Sequence, residues 1–179
     1  MGNYAPSTRA RIADLIMGMH VKTTDGGLLA ANFTATAQTE LFTIVGRIGV
    51  LQLFIELTAA ADANATVVMF NATFTTPVIA LNALSIDSAS IASLVAHQRI
   101  TLVGDAVGTA LTLTDGPGVT DVNMDGSYMI LGGETAAGAN TVGTIGMLAS
   151  TATQAATISA TAHLYYIPLS AGAYATALV

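Results

Sequence analysis

Near the end of the chain, from Thr157 to Ile167, apolar and polar residues alternate without a break. Ile158, Ala160, Ala162, Leu164 and Tyr166 fall in one phase, and Thr157, Ser159, Thr161, His163 and Tyr165 in the other. Period two belongs to a strand with one face buried and one face open. Leu51, Leu53, Ile55 and Leu57 repeat the pattern against Gln52, Phe54 and Glu56. Further strands are expected at 64–74, 77–84, 100–103, 110–113, 128–131 and 142–148. Turn chemistry stands between them, at Asp62-Ala63-Asn64, Gly104-Asp105, Asp115-Gly116-Pro117-Gly118, Asp125-Gly126, Gly132-Gly133 and Ala137-Gly138-Ala139-Asn140. No long helix recurs between strands, which excludes a parallel α/β sheet. Seven to nine short strands predict an all-β chain, a single antiparallel sandwich that is jelly-roll-like. Ile91, Leu94 and Val95 have helical spacing and predict one or two helical turns within 88–96.

Two segments are expected: an N-terminal arm or leader over 1–39 and a β-sandwich domain over 40–179. In the leader, Ile12, Leu15, Ile16 and Met19 recur at helical spacing after Ser7 or Thr8, and Gly26-Gly27 ends any helix. A helix this short is marginal without a packing partner. Packing on its own domain and lying on a neighbouring subunit both fit it.

Only 9% of the 179 residues are charged, where globular proteins average about 25%. Ala (33) and Thr (25) dominate. Five Lys and Arg and a net charge of −6 exclude a phosphate-binding surface, so no nucleic acid is expected as partner. Mean hydropathy is +0.64. The longest apolar stretch, Leu41 to Ala60, nevertheless contains Arg47, Gln52 and Glu56 and is no spanning helix. Aromatic residues are too few for barrel girdles, and the N-terminus lacks the order of a secretory signal, so no membrane is expected. A chain this poor in charge is expected to cover surface against other subunits, as an obligate homo-oligomer. The Thr157–Tyr165 face, with His163 and Tyr165, is one candidate contact. Arg47 is another, because Gly46 and Gly49 flank it and allow close approach of a backbone.

Cysteine is absent, which excludes thiol nucleophiles, disulfides and cysteine-ligated metals. His20, His97 and His163 show no zinc-motif spacing. There is no G-x-S-x-G elbow, and no enzymatic activity is expected. Asp121-Val122-Asn123-Met124-Asp125-Gly126 matches the first half of a calcium loop, but its twelfth position is Gly132 and Glu134 comes two residues late. Asp121, Asn123 and Asp125 fit either a simpler calcium loop between strands or a polar Asx turn, the commoner outcome of such a match. No other cofactor is expected. Three sequons, at Asn32, Asn64 and Asn71, are chance matches in a threonine-rich chain.

The run from His163 to Ala173, His-Leu-Tyr-Tyr-Ile-Pro-Leu-Ser-Ala-Gly-Ala, follows Gly143-Thr144-Ile145-Gly146 and a Thr/Ala-rich segment at 151–162. This ending resembles small β-rich virion structural proteins of tailed bacteriophages, over roughly the last forty residues. The resemblance implies a capsid decoration (cement) protein without active-site residues. Such a protein would form a small oligomer, a homotrimer, and clamp major capsid protein subunits in a virion assembled in the bacterial host cytoplasm. A tail or head–tail connector component and a carbohydrate- or host-binding β module are the alternatives.

Overall fold

A computed structural model describes residues 18–24, 27–33, 38–64, 66–75, 78–85, 88–102, 112–114, 129–135, 137–149 and 157–178. Its strands are β1 (His20–Thr23), β2 (Leu28–Leu29), β3 (Thr39–Val45), β4 (Ile48–Ala59), β5 (Val68–Thr75), β6 (Val78–Ala83), β7 (Arg99–Leu102), β8 (Thr112–Thr114), β9 (Met129–Leu131), β10 (Val142–Ala149), β11 (Ser159–Pro168) and β12 (Tyr174–Ala177). A 3-10 turn, Ala30–Asn32, follows β2. The strands form two antiparallel sheets. The first has the order β1-β11-β4-β7-β8, with β2 also on β11 and β9 also on β4. The second has the order β12-β3-β10-β5-β6. The protein is therefore an all-β sandwich.

Alternation decides which side chains meet between the sheets. From the first sheet, Leu53, Ile55 and Leu57 of β4 and Ala160, Ala162 and Leu164 of β11 point inward and are buried. From the second come Phe42 and Ile44 of β3, Phe70, Ala72 and Phe74 of β5, and Ile145 and Met147 of β10. Tyr166 is buried with them, and its hydroxyl accepts the backbone N–H of Ala175 at 3.1 Å. That N–H lies on β12, the outermost strand of its sheet, so the bond occupies a donor that an edge strand would otherwise leave bare.

Leu28 and Phe33 are fully buried in the core, and β1 and β2 both pair with β11. The sandwich thus takes in residues 20–24 and 27–33, upstream of the boundary expected at residue 39. Thr24 extends β1 through both its groups: its N–H donates to Ala162 at 3.1 Å, and its hydroxyl accepts the Ala162 N–H at 3.0 Å. Ile12, Leu15 and Ile16 lie outside the described residues. Met19 is half-buried, directly before β1.

The helical turns expected within 88–96 are not there. Residues 91–97 form successive tight turns, in which Leu94 donates to Ile91 at 3.1 Å and Ser93 to Asp62 at 2.8 Å. Ser93 and His97 both take positive φ, 64° and 71°, which no helix accommodates.

The apolar stretch 41–60 is two strands in two sheets, turned at Gly46-Arg47. Gly46 has φ +76°, and its N–H donates to Thr141 at 2.8 Å. A Cβ there would lie 2.8 Å from Asn140 Oδ1 and from Ser170 Oγ, and 2.9 Å from Ala173 Cβ. The space that Gly46 leaves open is filled by side chains of this chain's own loops. Ser170 Oγ also accepts the Arg47 N–H at 3.0 Å, and Asn140 donates to the Ala171 carbonyl at 3.0 Å. Gly46→Ala combines a left-handed backbone with overpacking and is expected to cost about 2–4 kcal/mol, read as a lowered midpoint in chemical denaturation.

Candidate functional site

The alternation that fills the core also sets the opposite phase on the outer face of the first sheet. There Thr23, His163, Phe54 and Thr101 stand in one row across β1, β11, β4 and β7. Val21, Tyr165 and Gln52 form the row on one side of it, and Thr161, Glu56 and Arg99 the row on the other. These residues span positions 21 to 165, so only the folded sheet brings them together.

Phe54 is the centre of the face. It points outward yet is only 4% exposed, because its neighbours lie over it. The His163 ring stacks on it with centroids 4.7 Å apart and planes 18° from parallel. The Tyr165 ring lies at 6.0 Å and 21°. The Arg99 guanidinium sits 4.9 Å from the Phe54 centroid, within cation–π range. Arg99 is held there by Glu56, whose Oε2 accepts from both Nε and Nη2 at 2.8 Å. His97 Nδ1 lies 3.6 Å from the other Glu56 oxygen. The left-handed backbone of His97 ends the turn that delivers Arg99 to β7.

His163 is half-buried and shares a 3.2 Å hydrogen bond between Nδ1 and the Thr23 hydroxyl. Burial lowers its pKa from the ordinary 6.5; the Glu56 carboxylate works against that shift, and the Arg99 cation adds to it. The imidazole is accordingly kept neutral, as a flat ring stacked on another.

The expected contact residues His163 and Tyr165 fall together on this face. Arg47 does not: it is exposed at the β3–β4 corner. Asp121, Asn123 and Asp125 lie outside the described residues. Among the described residues, no group of three or more His, Asp or Glu is placed to hold a metal ion. Asn71 is fully buried, so its sequon cannot be modified in the folded chain. Arg99, a solitary cation amid apolar strands, suits an interface or an ordinary salt bridge on sequence grounds, and it pairs with Glu56; Thr23, Phe54 and Glu56 form no recognisable site in the sequence. The one signal for them was Phe54 itself, a large apolar side chain in the outward phase of β4.

No helix among the described residues is long and apolar enough to cross a membrane. The chain matches no family model, no curated protein and no solved structure.

The lowered pKa of His163 has a signed consequence. Below pH 6.5 the unfolded chain takes up the His163 proton before the folded one does. Stability conferred by the neutral ring is therefore present above that pH and is lost as pH falls through the folded value. The melting temperature should drop between pH 7 and pH 5.5, and His163→Gln should flatten that slope. An unchanged slope in the variant would assign the acid sensitivity to other groups.

Proposed function

We propose that this chain is a structural protein of a bacteriophage particle, a capsid decoration protein that acts by binding and catalyses no reaction. In this reading it assembles as a homotrimer in the host cytoplasm and docks on the major capsid protein, adding buried area where capsid subunits meet. The observation that carries the reading is the character of the sandwich faces. The outer face of the first sheet is a packed aromatic and ionic cluster whose charges pair with each other, and hydroxyl side chains surround it.

The second sheet supports the same reading. Thr176, Thr43, Thr144 and Thr73 stand directly opposite one another across β12, β3, β10 and β5, a continuous threonine row on its outer face. Methyl and hydroxyl groups in such a row would pack closely against the capsid protein on which the oligomer docks, a contact separate from the one between copies. A carbohydrate platform would need its aromatic ring open for stacking, whereas Phe54 is covered.

We also read the sandwich as jelly-roll-like. Taking β1, β3, β4, β5, β6, β9, β10 and β11 as the main strands, the first, eighth, third and sixth form one layer. The second, seventh, fourth and fifth form the other. Viral capsid domains are among the proteins that use jelly rolls, although fold alone assigns no function.

Quantitative mass spectrometry of purified particles tests the proposal. A decoration protein is present in hundreds of copies per particle, and chemical removal of it should lower the temperature at which heads release DNA. A handful of copies would place the chain in the tail or connector, and absence from particles would end the virion reading.

A further inference from the structure

We infer that a second copy of this chain docks on the outer face of the first sheet, with His163 and Tyr165 at the centre of the contact. The inference rests on the assembly reading above and adds which surface is used and what occupies it.

Charge selects the surface. Each copy carries a net charge of −6, so copies repel unless they join where neither brings unbalanced charge. On the outer face of the first sheet, Glu56 and Arg99 neutralise each other at 2.8 Å, and His163 is held neutral by its surroundings. The outer face of the second sheet carries the exposed carboxylate of Glu40, beside Gly146 in the register.

Rigidity and size agree with this choice. Tyr165, His163 and Arg99 are already fixed against Phe54, so little side-chain freedom is lost on docking. Tyrosine and arginine in such settings dominate binding energy. The apolar surface continues past the cluster to Val21 on β1, 46% exposed, and Ile130 on β9, 56% exposed. With strands about 4.8 Å apart and a rise of about 3.3 Å per residue, the 38 strand residues of this sheet give a face of roughly 600 Å². That is the lower end of what each partner contributes to an interface of standard size.

The test uses the full chain. Val21 is exposed, so Val21→Lys puts a charge on the face without disturbing the core. Thr144→Lys does the same on the opposite face. Sedimentation at micromolar concentration should show assembly weakened at least tenfold by Val21→Lys and unaffected by Thr144→Lys. The chain has no cysteine, which permits a second measurement. In the assembled protein a thiol introduced by Thr161→Cys should be protected from alkylation, while one introduced by Thr144→Cys reacts freely.

Assembly lost in Thr144→Lys but kept in Val21→Lys would overturn the inference, as would equal reactivity of the two thiols. Both results would leave the oligomer itself standing. An unmodified chain that sediments as a monomer would instead remove the homo-oligomer from the proposed function, and this inference with it.

Discussion

The pairing of β4 with β11 is the constraint on which the remaining structure depends. Ten residue pairs, from Ser159 opposite Ala59 to Pro168 opposite Ile48, lock the two longest strands together. Because side chains alternate, this single register fixes two surfaces at once. Leu53 faces Leu164 and Ile55 faces Ala162 on the inside, while Phe54 faces His163 and Gln52 faces Tyr165 on the outside. A slip of one residue would send the aromatic cluster inward and the aliphatic side chains into water. Plain alternation along β11 puts Tyr165 on the outer face and lets Tyr166, the next residue, seal β12.

What was legible in the sequence follows from how local each signal is. The alternations of β4 and β11 are long and show themselves directly. β1 and β2 have four residues and two, too few for a period to emerge. The turns at 91–97 imitate helical spacing because tight turns also bring residues three apart together, as Ile91 and Leu94 are. Gly46 suggests room for another backbone, but sequence does not say that side chains of the chain's own loops occupy that room. Arg99 stands alone in the sequence because Glu56 is 43 positions away. The stack on Phe54 draws on three strands, β4, β7 and β11, and no window of sequence contains it.

The scarcity of charge is compensated by hydroxyl groups. Ser85 and Ser88 accept the N–H groups of Phe70 and Val68 at 2.9 and 3.0 Å, and both serines are buried. Thr24, Ser170 and Tyr166 accept other backbone donors. Thr141 brackets Gly133, accepting its N–H and donating to its carbonyl. Backbone groups at irregular points are satisfied in this way without ionised side chains, which leaves few charges to desolvate when the surface approaches another protein.

The long reach of β11 also sets an order of events during synthesis. Thr23 and His163, hydrogen-bonded neighbours, are separated by 140 positions. β11 is made long after the strands it joins, and until then β1, β2 and β4 lack their common partner. Pairings this distant close slowly, and an apolar segment left waiting is prone to join a neighbouring chain. Glu56 sits inside that segment. Before it anchors Arg99, its carboxylate interrupts an otherwise uncharged run from Ile48 to Ala61, in the position of a gatekeeper against premature strand association. The same side chain thus guards the nascent strand and later organises the finished face.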